Sequence, residues 1–166
     1  HDDSVAIYRV GERNGVPFIA MPLLEGESLK EQLERQTRLS VDEMIAISCQ
    51  IADGLAAAHE RDLLHRDIKP ADVFLENRSG RTKILDFGLA RSSAEDSDIT
   101  QSGVVVGTPK YMSPEQATGR EVDARSDLFS LVSVMYHMLA GRAPFQGDNL
   151  TAILMAVTQA NTTPLA

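Results

Sequence analysis

Short apolar-rich runs at residues 5–10 and 16–24 stand on either side of Gly11-Glu12-Arg13-Asn14-Gly15. The Asn-Gly pair is a strong hairpin signal, so the chain is expected to open on a small antiparallel pair of strands. From there the pattern turns helical. Residues 28–35 predict a short helix, and Ser40 with Glu43 forms a capping box that starts a longer one, with Ile45, Ile51, Leu55 and Ala58 as its core stripe. Val73-Phe74-Leu75 and Lys83-Ile84-Leu85 flank Arg78-Ser79-Gly80-Arg81 and predict a second hairpin. Between residues 123 and 139, Leu128, Leu131, Val132, Met135 and Leu139 mark a thoroughly apolar, centrally buried helix, with Gly141 as its C-terminal cap. Residues 151–159 read as a last helix.

Composition narrows the possibilities without choosing among them. The 166 residues, 43% apolar and 24% charged, suffice for one folding unit with a sizeable core. A net charge of −8 argues against a nucleic-acid surface, which needs clustered Lys and Arg. Cys49 is the one cysteine, which excludes an internal disulfide and suits a reducing compartment; it is expected as a buried core thiol. No apolar run approaches the roughly 20 residues that span a bilayer, and no basic-then-apolar leader opens the chain. The most loop-like stretch is 91–103, rich in Ser, Asp and Thr.

The chemistry concentrates in His65-Arg66-Asp67-Ile68-Lys69-Pro70-Ala71-Asp72 and, past the second hairpin, Asp86-Phe87-Gly88. Moving a phosphoryl group onto a hydroxyl needs a proton acceptor, cations against developing charge, and carboxylates that hold those cations. Asp67 suits the first role. Lys69 can reach the transferred group as a point charge, and Asp72 and Asp86 offer the hard oxygen ligands that Mg²⁺ prefers. His59, near a helix C-terminus where a cation is favoured, is expected to be structural.

These motifs resemble the protein kinases, and residues 86–115, from Asp86-Phe87-Gly88 to Ser113-Pro114-Glu115, resemble the activation segment of bacterial eukaryotic-like Ser/Thr kinases. The resemblance implies an α+β, protein-kinase-like fold: residues 1–24 as a remnant N-lobe hairpin and hinge, and residues 25–166 as a mainly helical C-lobe, incomplete at its C-terminal end. It implies ATP and Mg²⁺ as cofactors and a protein with a Ser or Thr acceptor as substrate. Met21 would be the gatekeeper, Pro22 and Leu24 would face adenine through their backbone, and Phe74 would form the floor beneath it. Thr108 would bridge Asp67 and Lys69 and favour Ser/Thr acceptors. Arg66 would pair with a phosphorylated activation segment, with Thr100 or Ser102 the regulatory site. Asp127 would brace the catalytic-loop backbone.

The sequence also departs from that family. Asp72 replaces Asn and Asp62 replaces Gly, while Val132 stands where Gly is usual and implies looser packing. The Gly-rich loop, the strand Lys and its partner Glu, and the Arg that pairs with Glu115 would lie outside residues 1–166, so this segment alone is expected to be inactive and to self-associate or contact a partner through bared apolar surface. Cytoplasmic residence is expected, with any membrane anchor of the parent protein outside this segment. The favoured function is an ATP-dependent Ser/Thr protein kinase. A pseudokinase or docking module is the alternative, motivated by Asp72, and a small-molecule phosphotransferase ranks third.

Overall fold

The computed structural model describes residues 8–13, 16–77, 79–85, 109–162 and 164. The first pair of strands, β1 (Arg9–Arg13) and β2 (Val16–Ala20), is antiparallel, with Arg9 opposite Ala20 and Arg13 opposite Val16. Strand β1 runs through the stretch expected to turn, and β2 stops at Ala20. Residues 21–25 therefore continue as an irregular connection. Asn14 and Gly15, which carry the hairpin signal, lie outside the described residues.

A second, three-stranded sheet follows in the order β3-β4-β5: Gly26–Ser28, Val73–Glu76 and Thr82–Ile84. The β4–β5 hairpin stands where the apolar runs predict it. Strand β3 was not foreseen, because three residues of Gly-Glu-Ser carry no strand pattern; pairing with β4 makes it one. Gly26 is required there, since a Cβ would lie 2.0 Å from the Leu75 carbonyl oxygen.

Helix α1 (Leu29–Gln36) and helix α2 (Val41–His59) begin in the same way. Ser28 caps the Glu31 N–H while Glu31 reaches back to the Ser28 N–H, and Ser40 and Glu43 repeat the arrangement. Each box satisfies amides that a helix start otherwise leaves open. The short helix α3 (Pro114–Ala117) precedes α4 (Ala124–Ala140) and α5 (Leu150–Thr158). Gly141 ends α4 at φ 71°, as expected of a left-handed cap, and a Cβ there would crowd Thr37 at 2.9 Å.

One main core joins Leu29, Leu33, Ile51, Leu55, Ile68, Val73, Ile84, Leu131, Val134 and Met138, so α1, α2, α4 and the β4–β5 hairpin pack around the loop at 63–72. A satellite of Phe145, Ile153 and Val157 sits beneath α5. Several expected core positions face outward instead. On α2 the buried face is Met44, Ile47, Ser48, Ile51, Gly54 and Leu55; Ile45 and Cys49 are exposed and Ala58 is half-buried. On α4, Leu128 and Val132 are exposed, whereas Met135 and Leu139 are half-buried and pack against the main core as expected, and the inward face carries Ser126, Asp127, Ser130 and Ser133 beside Leu131, Val134 and Met138. Val132 is 62% exposed, so no packing defect arises from its side chain. The buried serines explain the misreading: hydroxyls bond to backbone carbonyls, as Ser130 does to Tyr111 at 2.8 Å, and a helix can then bury a polar face.

Candidate active site

The loop at 63–72 is fixed from three directions. The Asp127 carboxylate, 1% exposed, accepts the His65 N–H at 2.9 Å and the Arg66 N–H at 2.7 Å, and His59 Nε2 lies 2.8 Å from its Oδ2. A buried carboxylate is tolerated because each oxygen has a donor. The bracing role expected of Asp127 and the structural role expected of His59 thus meet in one cluster. The buried His65 ring bridges to the other side. Its Nε2 faces the Leu85 carbonyl at 2.9 Å, while Nδ1 faces the Asp67 N–H at 3.4 Å. A proton on Nε2, donated to Leu85, leaves Nδ1 as an acceptor and satisfies both. Gln116, 3% exposed, donates through Nε2 to the Arg66 carbonyl at 2.5 Å.

These anchors hold a backbone that would not adopt its shape freely. Arg66 has φ 68° and Asp62 φ 57°, both left-handed. Asp tolerates that region better than most residues, which accounts for Asp62 in place of Gly. Arg has no such excuse, and its conformation costs about 1–2 kcal/mol, which the hydrogen bonds on both sides of Arg66 offset.

From this frame the candidate residues project together. Lys69 Nζ makes a short ion pair with Asp67 Oδ2 and lies 3.3 Å from Asp72 Oδ2. Burial opposes the charge on Lys69, but the two carboxylates outweigh it and hold its pKa above the ordinary value. Burial is also the main influence on Asp72; with the nearby Asp67 charge it exceeds the attraction of Lys69 and raises the Asp72 pKa. The contact with Lys69 is close enough to attract yet not aligned as a hydrogen bond, and Asp72 Oδ2 is buried with no hydrogen-bond partner. An unsatisfied, inward carboxylate oxygen fits a divalent cation. Among the described residues no three acids, histidines or cysteines form a metal cluster. Asp86 lies outside the described residues, but its neighbour Leu85 donates its N–H to the Asp72 carbonyl at 2.8 Å, and Val73 pairs with Ile84. Strands β4 and β5 thus bring the chain next to Asp86 against Asp72.

Phe74 is half-buried on β4, opposite Ser28, and Asn77 donates its N–H to the Glu25 carbonyl at 3.0 Å. The strand of Phe74 therefore runs beside the end of the 21–25 connection. Pro22 and Leu24 are half-buried, while Met21 and Leu23 are exposed. Thr100, Ser102 and Thr108 lie outside the described residues. Beyond them, Tyr111 docks on α4 through a 2.7 Å hydrogen bond to His137 Nδ1 and through Ser130. Gln116 was not singled out from the sequence. A polar residue one place after Ser113-Pro114-Glu115 reads as a cap, and its second contact spans 50 residues.

The protein kinase domain family matches residues 1–164. The chain is 46% identical over 84% of its length to the serine/threonine-protein kinase PknA of Corynebacterium glutamicum, of which it covers 29%. It is 38% identical over 94% of its length to Pkn1 of Myxococcus xanthus, covering 23%, and 36% identical over 92% to PknB of Mycobacterium leprae, covering 25%. The chain thus spans about a quarter of the length of these relatives.

Proposed function

Because the chain belongs to the protein kinase family, we propose that it supplies the catalytic loop of an ATP-dependent Ser/Thr protein kinase, with Asp67 as the proton acceptor for a protein hydroxyl. The observation that carries this reading is the placement of Lys69 Nζ between the carboxylates of Asp67 and Asp72, on a loop locked by Asp127. Asp67 is exposed and can meet an incoming alcohol, while Lys69 stands beside it as the cation for the transferred group. Asp72 and Asp86 would hold Mg²⁺, which when bound neutralises phosphate charge. Met21, Pro22 and Leu24 would line the adenine site, with Phe74 as its floor. Thr108 would link Asp67 and Lys69 to the acceptor hydroxyl.

The experiment is γ-phosphoryl transfer to a Ser/Thr protein acceptor by the full-length protein. Asp67→Asn should lower kcat at least 10³-fold with nucleotide binding retained; undiminished transfer would reject the assignment. A docking module without transfer is the second reading, and it draws on Asp72, whose carboxylate lacks the amide donor of Asn. Intact Asp67 and Lys69 favour transfer. Thr100, and next Ser102, is the regulatory phosphosite of this proposal, because a phosphate there would find the Arg66 guanidinium. Mass spectrometry of the autophosphorylated protein should show Thr100 modified; both sites unmodified would refute it.

A further inference from the structure

Among the described residues three helices begin with a capping box, and one differs from the others. Ser28 with Glu31 and Ser40 with Glu43 lie on exposed surface and use a carboxylate as the returning acceptor. The third, at the start of α3, pairs Ser113 with Gln116 and is buried: the Ser113 N–H donates to Gln116 Oε1 at 3.0 Å. A box needs only an acceptor at this position, so Glu would serve as well. The amide supplies in addition a donor, and Nε2 spends it on the Arg66 carbonyl at 2.5 Å. A carboxylate in this buried place would have no proton for that carbonyl and would carry a desolvated charge.

The carbonyl in question belongs to the peptide plane whose other end is the Asp67 N–H, which faces His65 Nδ1. Asp127 fixes the preceding peptide through the Arg66 N–H, and Gln116 fixes this one. Between the two anchors sits the left-handed Arg66. Released at its carbonyl, that residue is free to relax toward ordinary backbone angles, and the relaxation rotates the peptide that carries Asp67. We infer that Gln116 is a positioning residue for Asp67, tying the start of α3 to the orientation of the catalytic carboxylate. The role rests on the assignment of Asp67 proposed above.

In the full-length protein, Gln116→Glu keeps the cap acceptor and loses the donor, whereas Gln116→Met loses both. Misplacement of a catalytic group by about 1 Å costs on the order of 10²-fold in rate. Both variants should therefore lose about 10- to 100-fold in kcat, with KM for ATP within about twofold of the parent protein. Folded variants whose kcat stays within about twofold would overturn the inference, as would a loss fully explained by their unfolded fraction. Should neither variant fold, isotopically labelled parent protein decides: a through-hydrogen-bond coupling between the Gln116 side-chain nitrogen and the Arg66 carbonyl carbon is expected, and its absence overturns the role. Asp67→Asn separates the two claims. If it leaves transfer intact, the assignment of Asp67 fails; if it abolishes transfer while the Gln116 variants do nothing, only the positioning role fails.

Discussion

The Asp127 carboxylate on α4 accepts the backbone N–H of Arg66 at 2.7 Å, across 61 positions of sequence. With the His65 N–H and His59 Nε2 on its other oxygen, both carboxylate oxygens are engaged, and the side chain is almost wholly shielded from solvent. Asp127→Ala should strand two buried amide donors and cost about 3 kcal/mol. Asp127→Asn should cost nearly as much, because one donor then meets an NH₂ group. Urea unfolding of both variants checks this, and a cost below about 1 kcal/mol for either would mean that the loop is held elsewhere.

Asp72 makes the opposite prediction, since its carboxylate is a poorly satisfied one. Replacing it with Asn removes a buried charge whose desolvation outweighs the attraction of Lys69, so Asp72→Asn should stabilise the chain by about 1 kcal/mol at neutral pH, or about 2–4 °C in melting temperature. It also removes a negative charge beside Asp67 and a competing partner of Lys69. The full-length variant should therefore reach half-maximal activity at lower Mg²⁺. A melting temperature that falls, or an Mg²⁺ requirement that is unchanged or higher, would contradict this account of the site.

How far the sequence foretold the site depends on how local each contact is. Lys69 and Asp72 sit two and five places after Asp67, so their convergence was legible from spacing once the loop was recognised. Asp127 was found only through family resemblance, because a buried Asp in the first turn of a helix looks the same as one favoured there by the dipole. Gln116 and strand β3 escaped altogether: one acts through a contact 50 residues away, and the other is a strand only because β4 lies beside it. Cys49 and Ile45 erred in a different way. An apolar stripe on a helix fixes a face to within about one residue, and the true face of α2 passes through Met44, Ile47 and Ser48.

The Tyr111–His137 pair gives a pH dependence with a definite sign. Burial, with Lys110 nearby as a smaller influence, lowers the His137 pKa from its usual value near 6.5, and burial pushes the Tyr111 hydroxyl up to about 12. Tyr111 therefore keeps its proton and donates to a neutral Nδ1 at 2.7 Å. The folded state binds fewer protons at His137 than the unfolded chain does, so stability should fall as pH drops below about 6.5. His137→Gln retains an acceptor without a titrating ring. The melting temperature of that variant should change less between pH 7.5 and pH 5.5 than that of the parent protein; an unchanged difference would place the acid sensitivity elsewhere.

Glu115 titrates in the reverse sense. Burial opposes its ionisation, but a short hydrogen bond from the Ser126 hydroxyl, with help from its own backbone and Ser113, lowers its pKa below the usual carboxylate value. A depressed carboxylate pKa stabilises the fold fully above the unfolded value, near 4.3, and loses that contribution as pH falls through the folded one. Removing the donor with Ser126→Ala should therefore cost about 1–2 kcal/mol at pH 7 and less at pH 3, which lies below the unfolded Glu115 value. Denaturant titrations at the two pH values measure the difference. An equal cost at both would mean that Ser126, itself buried at the start of α4, acts through packing rather than through the charge on Glu115.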